Sequence, residues 1–300
     1  MMTNYLKLQS LDDLTEMLWA DGPTALMIAG GTDVLVQPAP FEDKQIVIDI
    51  GDVAELKGIG PDEEGFLRIG AAVTHQEIAD DPLVRRKARL LGLACAAVGS
   101  VQIRNRGTLG GNLGNASPAA DSVPALVCLE AEVILAGRDK RRTLPVLSFS
   151  KGPGKTDRGF DEVIEAVRLP VRKGRQVAFF KKAGQRKGMC CSKASVALCA
   201  RRHTDGRLTD VRVAMGAVGP TVLPVPKAQE ALEGRKLDAP AIRHAARACM
   251  EEARAIDDIR STARYRSRVV GALLTGGLLE TADHMRALAR RRARRKRRRR

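Results

Sequence analysis

Apolar positions in the first hundred residues alternate between helical spacing and short unbroken runs. Leu11, Leu14, Met17 and Leu18 fall on one helical face behind Ser10, and Asp13 three residues on completes a helix start. The run Ala25 to Ala29 predicts a strand, Gly30-Gly31-Thr32-Asp33 a sharp exit from it, and Val34 to Val36 a resumption of the hydrophobic pattern. Two further buried strands are expected at Ile46 to Ile50 and Phe66 to Thr74. Thr74 with Glu77 forms a capping-box start for a helix that Pro82 interrupts before it resumes toward Val98, and His75 in its first turn reads as a solvent-facing cap residue.

Periodicity then vanishes. From Arg104 to Asp121 the chain reads RNRGTLGGNLGNASPAAD, between the apolar stretches LLGLACAAV and VPALVCLEAEVIL. Gly107, Gly110, Gly111 and Gly114 clear side chains from the backbone, which lets N–H groups approach an anion and permits φ > 0, while Thr108, Asn112, Asn115 and Ser117 add short polar groups. A polar loop of this length is more often functional than idle. With the turn after Ala29 it makes two candidate phosphate cradles.

Strands are predicted next at AEVILAG and at Glu162 to Pro170. Between them Lys151 to Thr156, KGPGKT, imitates a nucleotide-binding loop, but Phe149 stands where such a loop needs its first glycine, so that reading is rejected. From Gln176 two β-rich runs meet through an Asp205-Gly206 turn as a hairpin, and helices follow at Lys227 to Leu232, Ala239 to Ala255 and Thr262 to Ala282. A second α+β domain therefore begins near residue 175.

Composition alters this picture in four places. A chain of 300 residues, 44% hydrophobic, has enough apolar material for two domains, while aromatics at 3% leave few platforms for stacking single-stranded nucleic acid. Net charge is +16, yet ten of the residues from Arg290 to Arg300 are Arg or Lys, and that block reads as a solvated, disordered extension. The six cysteines include no C-x-x-C pair, so no metal framework is written, and adjacent Cys190 and Cys191 are read as ordinary reduced thiols. The opening MMTNYLKLQSLDD lacks the apolar core of a secretory signal and no long apolar run follows, which predicts a cytoplasmic protein without a membrane span.

With these segments in order, AGGTD after a strand, IRNRGTLGGNLGNASPAAD, FSKGPGKT, VIEAVRLP, and FFKKAGQRKGM followed by SVA, the chain resembles the FAD-binding subunit of the molybdenum hydroxylases, the family of xanthine dehydrogenase and carbon monoxide dehydrogenase, from Tyr5 to His284. The resemblance implies an α+β fold. Its parts are a PCMH-type FAD-binding domain over 1–174, with subdomains 1–58 and 59–174, and a smaller α+β domain over 175–284 with a sheet packed by helices, ahead of the disordered tail 285–300. It implies FAD as cofactor, with Met27, Ile28, Ala29, Gly30, Gly31, Thr32, Asp33 and Val34, and Thr108, Leu109, Gly110, Gly111 and Asn112, approaching its diphosphate through backbone amides. Asp121 matches a family carboxylate that contacts FAD; Val98, Ile164 and Lys182 belong to the same set, the last two lining the flavin, with Lys181 the other candidate for the lysine. No catalytic acid or base is implied.

The resemblance further implies two partners, a large molybdenum-cofactor subunit and a small [2Fe–2S] subunit, in a dimer of heterotrimers, with NAD as a possible acceptor of the electrons. This chain lacks the inserted cysteines that carry an extra cluster in the 4-hydroxybenzoyl-CoA reductase flavin subunit, so none is expected here. Met189-Cys190-Cys191 and the arginine tail fall outside the pattern. Two other readings stay open: a stand-alone FAD oxidoreductase of the same fold, and a nucleic-acid-binding protein acting through the tail.

Overall fold

The computed structural model describes residues 4–36, 44–186 and 188–297. Its mixed α/β architecture rests on three sheets. The first is parallel, with strands in the order Asn4–Lys7, Ile46–Asp49, Ala25–Ile28. Helix Leu11–Asp21 crosses it, started by Ser10, whose side chain accepts from Asp13 N, and buries Leu11, Leu14 and Leu18 against Ile48, Val53 and Leu56.

The second sheet has five antiparallel strands in the order Ile59–Pro61, Leu67–Gly70, Val163–Leu169, Glu132–Gly137, Lys140–Pro145. The strand expected at Phe66 to Thr74 is only the four residues Leu67–Gly70, because Ala72 N turns to Leu56 O and Val73 N to Gly70 O. The edge strand Lys140–Pro145 carries no sequence signal. KRRTLP is exposed along most of its length and so shows no apolar alternation. Ser150–Gly152 and Lys155–Thr156 form a separate hairpin, so KGPGKT turns between two short strands and opens no helix.

The third sheet is antiparallel, Gln176–Ala183, Ala194–Arg202, Leu208–Gly216 and Leu223–Pro224. Its second strand is buried on both faces, which explains the unbroken apolar run SVALCA. Ala197 and Cys199 join the core of the second sheet and its helices, while Val196, Leu198 and Ala200 face the helices Pro226–Leu232, Ala239–Glu252 and Ala263–Arg297. Arg172 ties the two layers together through ion pairs to Glu130 and Asp210. The last helix runs on to Arg297, so the tail expected to be disordered from 285 is helical that far. Ala, Leu and Arg are strong helix formers, and the helix is already nucleated by packed Val270, Leu274 and Leu278.

Candidate functional site

At the end of strand Ala25–Ile28 the chain leaves the carboxyl edge of a parallel sheet, the usual place for a ligand crevice in such sheets. Gly31 takes φ +70°, and the amides of Gly30, Gly31, Thr32 and Asp33 have no acceptor among the described residues. Val34 to Val36 form a 3₁₀ turn with Leu35 and Val36 exposed, so the hydrophobic pattern there does not continue into a buried element.

This turn lies directly against the second glycine-rich segment. A Cβ placed on Gly30 would sit 1.8 Å from Arg106 O, a distance only glycine avoids. The two candidate cradles, 70 residues apart in sequence, are thus in contact, as the sequence reading requires. The second one is built differently from the expectation. Ser100 caps the helix Val101–Arg104, and Thr108 caps Leu109–Gly114, so much of the supposed loop is helical and Gly107, Gly110, Gly111 and Gly114 all keep negative φ.

The amides of Leu109 and Gly110 donate to Val73 O at 3.0 Å and Ala71 O at 2.8 Å, and those of Gly111 and Asn112 to Thr108 Oγ1 and Thr108 O. They are already occupied. Among the described residues, the donors without an acceptor here include the four amides of the first turn, the Thr108 amide, and the Thr32 and Thr108 hydroxyls. Asn112 Oδ1 accepts from Ser122 Oγ at 2.6 Å.

A short way along the chain, Asp121 is buried with both oxygens engaged: Lys182 Nζ donates to Oδ2 at 2.6 Å and Ser192 Oγ to Oδ1 at 2.5 Å. Burial pushes the Asp121 carboxyl upward, and Lys182 and Ser192 oppose that shift. Lys182 therefore has a fixed counter-ion inside the protein. Lys181, the other candidate, is held by Glu280 at 2.7 Å.

Lys182 lines a cleft of about 770 Å³ between the segment Ala96–Arg104 and the strand Gln176–Ala183 with its following turn; Ala97, Val101, Phe180 and Met189 give it apolar wall, Arg104 and Arg186 positive rim. This volume suits a cofactor-sized ring system with a few polar contacts. Val98 O accepts from Arg104 Nη1 at 3.1 Å, and Arg104 Nε reaches Gln76 Oε1 at 2.9 Å, which anchors the cleft to the glycine-turn region. Ile164 is buried in the strand Val163–Leu169, with its Cδ1 3.6 Å from where a Cβ on Gly114 would lie. Of the residues singled out in the sequence, Lys181, Lys182 and Met189 line this cleft, and the Gly30–Thr32 turn meets Arg106 and Gly107 at the junction.

Ser192 and Arg104 received no role in the sequence reading. Nothing in their local pattern marks them; each acquires one only through a partner from a distant segment. His75 is the plain correction: it is 2% exposed, not solvent-facing, because its backbone N–H donates to Gly107 O at 2.9 Å and draws the ring under the second glycine segment. Cys190 Sγ donates to Arg186 O and Cys191 is exposed. No helix among the described residues is long and apolar enough to cross a membrane.

The residues present suit FAD. Amides without an acceptor among the described residues have the chemistry to bind a diphosphate, and the apolar cleft with its counter-ion-locked lysine has the chemistry to bind a flavin-type ring. Comparison with known proteins agrees. Residues 1–172 match the FAD binding domain in molybdopterin dehydrogenase, and residues 178–281 the CO dehydrogenase flavoprotein C-terminal domain. The xanthine dehydrogenase FAD-binding subunit of Escherichia coli O157:H7 is 30% identical, over 89% of this chain and 91% of its own length. Among solved structures, quinoline 2-oxidoreductase from Pseudomonas putida 86 aligns with TM-score 0.86 at 28% identity, over 95% of this chain and 98% of its own. Carbon monoxide dehydrogenase from Hydrogenophaga pseudoflava, in a form lacking the Mo-pyranopterin moiety of the molybdenum cofactor, aligns with TM-score 0.85 at 27% identity, over 92% and 95%. Sheet order, paired glycine turns and matched sequence thus converge: the chain belongs to the FAD-binding medium subunits of the xanthine dehydrogenase and CO dehydrogenase family, oxidoreductase components of molybdenum enzymes.

Proposed function

We propose that this chain is the FAD-carrying electron-transfer subunit of a cytoplasmic, multi-subunit molybdenum hydroxylase. In this reading a large partner subunit with the molybdenum cofactor oxidises the substrate, and a small partner carries [2Fe–2S] clusters that relay the electrons. The chain passes them to an external acceptor such as NAD, and the complex is a dimer of heterotrimers. The relatives named as FAD-binding subunits or medium chains of xanthine and carbon monoxide dehydrogenases support the division of labour. The three-sheet build supports a division into 1–58, 59–174 and 175–284.

The observation that carries the reading is the abutment of the free-amide turn Gly30–Asp33 on the Arg106–Thr108 segment, beside a cleft that holds Lys182. FAD, when bound, supplies the capacity to take electrons singly and release a pair. The protein's share is binding and electrostatics. Met27–Val34 hold the diphosphate with the Thr108–Asn112 segment backing them; Val98 and Ile164 fix the neighbouring backbone and packing. Asp121 and Ser192 aim Lys182 so that its charge stays next to the ring, favouring negative charge there.

Visible spectroscopy tests this. The purified chain should show flavin absorption alone and additional iron–sulfur bands when co-purified with its partners. A colourless chain that takes up no added FAD would overturn it.

A further inference from the structure

The His75 side chain has no use in anything described so far. Its ring is buried, and Nδ1 has no hydrogen-bond partner among the described residues. An imidazole nitrogen left this way costs free energy, and native structures rarely retain such a group without reason. The ring's position supplies a reason. A Cβ built on Gly107 would lie 3.4 Å from His75 Cδ2 and 3.1 Å from Thr32 Oγ1, so the Cδ2 corner of the ring and the Thr32 hydroxyl flank one point, where the two glycine segments meet.

The four amides of Gly30 to Asp33, without an acceptor among the described residues, start from the same junction. Burial, and secondarily the charge of Arg104, keep the imidazole neutral down to about pH 4, so it carries one proton and one lone pair. A buried N–H without a partner is rarer than an under-used acceptor, which puts that proton on Nε2, the nitrogen bonded to Cδ2.

We propose that His75 is a binding residue for the cofactor diphosphate, donating from Nε2 to a phosphate oxygen alongside the Gly30–Asp33 amides and the Thr32 hydroxyl. This rests on the FAD reading above, and it adds a nitrogen side-chain donor to a site of backbone amides and threonine hydroxyls. A neutral donor suits the place. It contributes a hydrogen bond to a charged oxygen without adding a second buried cation near Arg104.

The test uses the full chain stripped of flavin and titrated with FAD or with riboflavin, which has no phosphate. His75→Leu should raise the FAD Kd roughly tenfold or more, as loss of a hydrogen bond to a charged group does, while His75→Gln, which keeps an N–H near the same place, should largely restore it. Riboflavin should bind all three proteins alike. In the wild-type protein labelled with ¹⁵N-histidine, the His75 Nε2–H resonance should shift on adding FAD and stay in place on adding riboflavin, a readout that needs no variant to fold. A folded His75→Leu protein with wild-type FAD affinity, an equal loss for riboflavin, or a resonance indifferent to FAD would overturn the assignment. Wild-type protein that takes up no FAD would instead sink the flavin reading itself.

Discussion

Lys182 shows how a side chain gains meaning from residues far along the chain. Strand alternation sends it to Asp121, 61 residues earlier, while its neighbour Lys181 reaches Glu280, 99 residues later. The sequence marked Asp121 and Lys182 separately by their likeness to a family pattern. It had no means of pairing them, since a contact between distant segments leaves no local period. Removing one partner of such a buried pair strands the other. Lys182→Met should therefore cost about 3 kcal/mol or more in unfolding free energy, and adding Asp121→Asn should recover much of the loss, both measured by urea denaturation of the flavin-free protein. Additive losses would show that the two residues are not coupled. His75 was misread for the same reason: the capping box at Thr74 and Glu77 is local and legible, but burial comes from Gly107 across the chain.

At the level of elements, legibility followed the strength of local pattern. The helix after Ser10, the strands at Ala25 and Ile46 and the Asp205-Gly206 hairpin all carry period and punctuation together. The exposed strand Lys140–Pro145 carries neither. The segment Arg104–Asp121 looked like open loop because Gly, Asn and Ser are poor helix formers, yet side-chain caps from Ser100 and Thr108 and the bonds from Leu109 and Gly110 to Val73 O and Ala71 O, just past the strand Leu67–Gly70, hold its short helices in place. Close packing between elements also separates glycines that look alike. Gly30→Ala drives a methyl into Arg106 O and should destabilise the protein by several kcal/mol or abolish FAD retention, whereas Gly60→Ala meets nothing within 4 Å and should stay within about 0.5 kcal/mol of wild type. Thermal denaturation and flavin content of the two variants give the comparison; equal behaviour would contradict the contact.

On the scale of the whole molecule, strand Ala194–Arg202 is shared by two hydrophobic cores, Ala197 and Cys199 on one side and Val196, Leu198 and Ala200 on the other. The sequence showed a boundary near residue 175 but not that the strand beyond it serves both sides, because an unbroken apolar run reports burial without saying against what. Native-state hydrogen exchange should accordingly give the amides of Ala194–Arg202 and Val163–Leu169 the same opening free energy; well-separated values would mean that the halves unfold independently. Such a shared girder means that the two cores cannot part at the boundary near residue 175 without stripping both faces of a strand that is buried on each.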